Sequence, residues 1–248
     1  MDRETAREAL LKFCSMPLES GASVLREFAA LPGAISHFDG GKKNFVCLPG
    51  KREDRVLLVA HADTVWDSDY MGAYGEAVRQ ELLFSDGVYY GARKECGIGA
   101  DDRAGCAMLW CLKDTGHTLL ILDGEENGQI GAHHIRERYP ALFDELNRHC
   151  YAIQLDRRED GNYKVYDLPV TREFIGFVEG STGYKNAGRL SRTDIVVLCR
   201  DICGVNLSIG YYDEHTSDER LVFDEWFRTL QITEGMIKGR QKRYLLKK

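Results

Sequence analysis

The 248-residue sequence contains no run of roughly 20 apolar residues, the length a helix needs to cross a bilayer. Its opening residues, Met1-Asp2-Arg3-Glu4-Thr5-Ala6-Arg7-Glu8, carry charges where a secretory leader needs an apolar stretch. No membrane partner is expected, and the protein is expected to be soluble and cytoplasmic. Basic residues are not in excess either: 33 Lys and Arg face 39 Asp and Glu, for a formal net charge of -6. Nucleic acid is therefore not expected as a partner, because phosphate recognition draws on surplus positive charge. Cys-x-x-Cys pairs are missing. The eight cysteines, at 14, 47, 96, 106, 111, 150, 199 and 203, are scattered, and several lie in apolar runs. Reduced core thiols are expected rather than disulfides. No internal repeat or low-complexity linker divides the chain, so a single domain spanning 1–248 is expected, with N-terminal helices at about 3–30 and a solvated basic tail at about 238–248. No oligomer interface is legible.

What is present is an ordinary globular composition, 44% hydrophobic and 29% charged, enough to build a sizeable core. Residues 3–15 and about 20–30 read as amphipathic helices, since Ala6, Leu10 and Phe13, then Val24, Leu25 and Phe28, recur at helical spacing. Leu31-Pro32-Gly33 closes the second. Beyond it, short apolar runs alternate with Gly-rich or charged connections, the pattern of a sheet covered by helices. Strands are expected at 56–60, 118–122, 152–155, 195–199 and 205–209, buried on both faces because of their largely continuous apolar character. Helices are expected at 103–113 and 130–139, and a strand edge or hairpin at 84–90. The fold class is thus α/β, three αβα layers around a mixed, mainly parallel sheet.

Chemistry enters where these strands end. The first runs into His61-Ala62-Asp63, the second into Asp123-Gly124-Glu125-Glu126, and the third ends at Asp156. The last is followed by Tyr211-Tyr212-Asp213-Glu214-His215. Strand carboxyl ends are where open α/β sheets bind ligands. A Gly-rich loop, Gly97-Ile98-Gly99-Ala100-Asp101-Asp102, leads into an apolar helix and adds a further acid to that edge. Two imidazoles with at least three carboxylates suit zinc, and cobalt or manganese accept the same donors. Charge favours two ions: two Zn²⁺ bring four positive charges, which three carboxylates and one hydroxide neutralise if both imidazoles are neutral. Asp63 is a candidate to orient His61, since a ligating imidazole usually donates its other N–H to a carboxylate or carbonyl. Of the adjacent pair Glu125 and Glu126, one can bind metal while the other serves as general base.

The motifs His61-Ala62-Asp63-Thr64-Val65, Gly99-Ala100-Asp101-Asp102-Arg103-Ala104-Gly105 and Gly124-Glu125-Glu126-Asn127-Gly128-Gln129-Ile130-Gly131-Ala132 resemble those of the co-catalytic zinc exopeptidases. That clan includes the zinc aminopeptidases, the peptidase T and glutamate carboxypeptidase families, and related deacylases. The resemblance runs from about Leu57 to His215. It implies that two zinc ions are held, with His61 on one, Asp101 bridging both, Glu126 on the other, and Asp156 and His215 completing the set. Glu125 would be the general base, and the substrate a peptide or small amide. Asp160, Asp167 and Asp213 compete for the later positions. The peptidase T and carboxypeptidase branches insert a lid domain between the later acidic ligand and the final histidine. The interval from Asp156 to His215 is too short for one, so the single-domain aminopeptidase branch is the better match.

Other residues have plainer readings. His133 and His134 read as the start of a helix, because neighbouring helical residues point to different faces. Cys96 has no recognisable histidine partner and reads as an incidental thiol. Tyr211 and Tyr212 either steady an oxyanion and contact substrate or simply add aromatic bulk. The polar segment 181–186 suits substrate contact and equally suits being only a loop. Two other functions stay open: a deacylase acting on N-acyl amino acids or small amides, and a non-catalytic binding protein on the same fold.

Overall fold

A computed structural model describes residues 1–67, 80–188 and 190–248. Helices α1 (Arg3–Cys14) and α2 (Ala22–Ala29) lead into strands β1 (Ile35–His37), β2 (Phe45–Leu48) and β3 (Leu57–His61). The hairpin β4 (Leu82–Ser85) and β5 (Val88–Gly91) follows, then α3 (Ala100–Leu112), β6 (Thr118–Leu122), α4 (Ile130–Arg138) and α5 (Pro140–Leu146). Next come β7 (Ala152–Arg157), β8 (Asn162–Lys164), α6 (Arg172–Thr182), β9 (Lys185–Asn186) and α7 (Asp194–Leu198). The chain finishes with β10 (Gly204–Ser208), β11 (Tyr211–Tyr212), β12 (Arg220–Val222) and α8 (Phe223–Ile237).

Eight of these strands form one sheet, in the order β1-β2-β6-β3-β7-β10-β8-β9. Its centre, β6-β3-β7-β10, is parallel, while β2 and β8 run antiparallel to their inner neighbours. Successive strand residues point to opposite faces, and the apolar runs serve both. Leu58 and Ala60 of β3 join the core under α1, α2, α3 and α8, whereas Leu57 and Val59 join the core under α4, α5 and α7. The three-layer αβα expectation is met. A second, antiparallel sheet, β11-β12-β5-β4, was not anticipated beyond its β4–β5 hairpin. It places the loop carrying His215 beside the main sheet.

Two expectations are corrected. Residues 195–199 do not form a strand but lie mostly in helix α7. Ile195, Leu198 and Cys199 all pack into the same core cluster, which is i, i+3, i+4 spacing, and β10 pairs directly with β7, leaving no slot between them. Segment 181–186 is not an open loop. It ends α6, turns at Gly183 and forms β9 at the sheet edge, away from the candidate site described below. Between Asp156 and His215 the chain supplies β8, β9 and β10 of the main sheet rather than a separate lid. The eight cysteines are all buried and unpaired. Among the described residues no helix is long and apolar enough to cross a membrane.

Candidate metal centre

His61 is the last residue of β3 and is 1% exposed. Its Nε2 lies 3.2 Å from Asp101 Oδ1 and 3.3 Å from Asp156 Oδ1. Its Nδ1 faces Asp63, 3.1 Å from the carbonyl and 3.3 Å from Oδ1. The Asp63 carboxylate also accepts the backbone N–H groups of Glu125 and Glu126, at 3.2 and 3.3 Å. One buried acid thus ties the end of β3 to the turn after β6. His215 sits in the loop between β11 and β12 at φ +64, with its side chain about half exposed. Its Nε2 is 3.1 Å from Glu126 Oε1 and 3.4 Å from Asp101 Oδ2.

These contacts define two three-donor groups, His61 with Asp101 and Asp156, and Asp101 with Glu126 and His215. Within each, the donor atoms lie inside 4.8 Å of one another. Asp101 belongs to both. An imidazole and two carboxylates on each side form a donor set that fits a zinc-like cation. Charge argues the same way, since among the described residues Asp101, Glu126 and Asp156 form ion pairs with the two histidines and with no lysine or arginine. Burial and the neighbouring Asp101 push Glu126 up to about 7. Burial likewise raises Asp156, and raises Glu125 well above the usual carboxylate range. Burial depresses the His61 imidazole, but Asp156, Asp101 and Asp63 outweigh it and hold it well above its ordinary value. Hydrogen bonds to Asp101 and Glu126 raise His215 to about 11. A cation among these donors would offset the same crowded charge.

The positions of the acids follow from local backbone constraints. Gly99 takes φ +63 before Asp101, whose N–H donates to Glu219 Oε1 at 3.0 Å; the Gly99 N–H donates to Glu219 Oε2 at 2.7 Å. Asp102 points inward and accepts the His61 N–H at 3.1 Å and the Gly105 N–H at 3.1 Å. A Cβ at Gly105 would fall 2.0 Å from Leu155 O, so α3 meets β7 this closely only with glycine there. Asp156 Oδ2 accepts from Thr193 Oγ1 at 2.8 Å and Gln154 Nε2 at 2.9 Å, while Asn206 brackets its backbone. Glu219, Gln154, Thr193 and Asn206 were not singled out from the sequence.

An open cleft of about 440 Å³ is lined by Asp101, Glu125, Glu126, Asp156, Tyr211 and His215, among others. Tyr211 is 2% exposed, and burial beside Asp101 and Asp156 keeps its hydroxyl protonated. Tyr212 is not among the lining residues; its hydroxyl donates to Glu225 at 2.7 Å. Of the competing acids, Asp160 pairs with Arg228 and Asp213 with Arg220, and Asp167 is exposed. Cys96 is buried against Gln80. His133 and His134 lie in α4, as expected.

No protein-family model and no curated protein matches the chain. Solved structures do. A tripeptidase from Staphylococcus aureus subsp. aureus Mu50 aligns with TM-score 0.69 and 15% identity, covering 96% of this chain and 98% of its own. Aminopeptidase PepT from Bacillus cereus ATCC 10987 gives TM-score 0.67 at 15% identity, with the same 96% and 98% coverage. The chain shares the fold of these peptidases. An aminopeptidase from the archaeon Desulfurococcus kamchatkensis adds TM-score 0.61 at 11% identity over 95% of both chains. The resemblance to the co-catalytic zinc exopeptidases, read from motifs, thus holds at the level of the fold.

Proposed function

We propose that the protein is a metal-dependent hydrolase of peptide or related amide bonds, of aminopeptidase-like type, working with two zinc ions. The observation that carries this reading is Asp101, shared by two three-donor groups that open on the same cleft as Glu125. His61, Asp101 and Asp156 would hold one ion, and Asp101, Glu126 and His215 the other. Bound there, such ions lower the pKa of water and polarise a carbonyl oxygen.

Glu125 would take the proton of the attacking water on a carboxylate oxygen and pass it to the departing amine nitrogen. Burial suits it to this work, because a carboxylate out of water holds a proton more readily than an exposed one. Gln129 Nε2 lies 3.4 Å from Glu125 Oε1 and restrains it. Asp63 accepts from the Glu125 backbone and faces His61 Nδ1, fixing base and ligand together. Tyr211 presents a neutral hydroxyl beside the acids, able to donate to the oxygen that gains charge when the carbonyl is attacked.

The test is metal content by mass spectrometry on gently purified protein, with hydrolysis of amino-acid amides, dipeptides and N-acyl amino acids before and after chelation. About two zinc equivalents and chelator-sensitive turnover are expected, with the panel separating exopeptidase from deacylase. No metal, and no turnover when zinc is supplied, would put the non-catalytic reading ahead.

A further inference from the structure

The same cleft also carries basic residues. Arg157 at the end of β7, Lys164 at the end of β8, and Arg192 in the loop before α7 all line it. Among the described residues none of the three forms an ion pair. Elsewhere arginines pair readily, as Arg52 does with Asp54, Arg55 with Glu145 and Arg200 with Asp144. Lys164 is the least expected of the three, being only 7% exposed. Its ammonium donates to Leu190 O at 2.6 Å and Ser191 Oγ at 3.1 Å, leaving one of its three N–H donors over. Arg157 uses its Nε on Asn162, which leaves its terminal nitrogens free. Burying a lysine among arginines is costly, and both burial and the fields of Arg157 and Arg158 depress its pKa. An anion entering the cleft would meet these remaining N–H donors and offset the same charge.

Register gives the scale. Lys164 stands opposite Asn206 of β10, and Asn206 opposite Gln154 of β7, two residues before Asp156. Two strand spacings put Lys164 roughly 10 Å across the sheet from β7. A short extended substrate spans that distance at roughly 3.3 Å per residue.

We propose that Lys164, Arg192 and Arg157 form a carboxylate-binding subsite, so that the substrates are small molecules with a free carboxylate within roughly 10 Å of the scissile carbonyl. The inference rests on the hydrolase reading for the word substrate, though the subsite itself does not. Either a terminal α-carboxylate or an acidic side chain provides the group.

The test is calorimetric binding to the zinc-supplemented protein. The probe is a tripeptide analogue whose first amide is reduced to a methylene-amine, compared as free acid and as C-terminal amide. Wild type is expected to bind the acid about tenfold or more tightly, as for a hydrogen bond to a charged group. That ratio is expected to fall toward one in Arg192→Ala, an exposed position, and in Lys164→Met, which keeps the stem, with Lys164→Arg restoring part of it. If a glutamate side chain on the amide form recovers the affinity, the side chain is the group recognised. Equal binding of acid and amide by wild type, or an unchanged ratio in both variants, overturns the proposal. Retained acid preference with no turnover of the unreduced peptides would sink the hydrolase reading and leave the subsite standing.

Discussion

Zinc binding to the metal-free protein should expel about two protons from the ligand side chains at pH 7.5, on top of the one released when metal-bound water becomes hydroxide, and the side-chain number follows from the site. Ligating imidazoles must be neutral and ligating carboxylates ionised. In the protein alone His215 titrates at about 11, so it is fully protonated at that pH. His61 is held well above its ordinary 6.5 by three carboxylates, which favours its protonated form. Glu126, at about 7, keeps roughly a quarter of a proton. Two imidazoles with unperturbed values near 6.5 would instead release only about 0.2 in total. The measurement is calorimetric zinc titration in several buffers of different ionisation enthalpy, where the slope of observed heat against buffer enthalpy counts protons. His215→Asn should reduce the count by about one. A count near 1 or below in wild type, which unperturbed imidazoles and one ionised water would give, would refute the reasoning, because the imidazoles would not then be sharing protons with the surrounding acids.

Further outcomes are expected from single substitutions. Glu125→Gln should retain zinc, by mass spectrometry, while turnover falls by roughly 10² or more. Tyr211→Phe should lower kcat by roughly 10² with little change in KM if its hydroxyl meets the developing oxyanion, and steady-state kinetics that leave kcat unaltered would remove it from the mechanism. Glu219→Gln, which disturbs the acceptor of the Gly99 and Asp101 N–H groups, should weaken zinc affinity by roughly 10–100-fold in a competition titration. Burial lowers His149 from 6.5 to about 4, so the native state binds fewer protons there than the unfolded chain as pH falls below 6.5. Its stability contribution is therefore complete above 6.5 and lost toward 4. Denaturant unfolding should show roughly 2 kcal/mol of this loss by pH 5, absent in His149→Asn.

Strands β3 and β6 were legible because each is a nearly unbroken apolar run that stops at a histidine or an acid, and such runs are buried on both faces in a parallel sheet; β7 departs from this only at Gln154 before it reaches Asp156. The hairpin β4–β5 and helices α3 and α4 were legible for similar reasons of period and punctuation. The run at 195–199 was misread because five apolar residues fit either period, and only packing against Gln154 and the sheet decides for helix. Strands β11 and β12 are two and three residues long, too short to show any alternation. The supports of the site were hidden for another reason. Glu219 lies 118 positions from the Asp101 N–H that it accepts, and Asn206 lies 50 from Asp156. Nothing local marks a residue whose partner is so distant.

The site also carries more acid than its donor groups use. Asp63, Asp102 and Glu219 are buried behind the ligand positions, and each is occupied by backbone N–H groups that fix a neighbouring ligand or base. Asp194 is buried as well, with neither carboxylate oxygen hydrogen-bonded, and burial pushes its pKa well above the carboxylate range. Holding Asp102, Glu219 and Asp194 ionised without counter-charge costs several kcal/mol each, and burial pushes all three above the usual carboxylate range, whereas His61 and Lys42 hold Asp63 below it despite its burial. Cations at the donor groups would relieve that cost by charge. Under the proposed function the acids behind the donor groups would set up a competition between protons and metal, and acidification should release metal before it unfolds the core. A pH titration following bound zinc and far-ultraviolet circular dichroism together is expected to show zinc loss at the higher pH. Coincident transitions would mean that the acids contribute to folding rather than to metal retention.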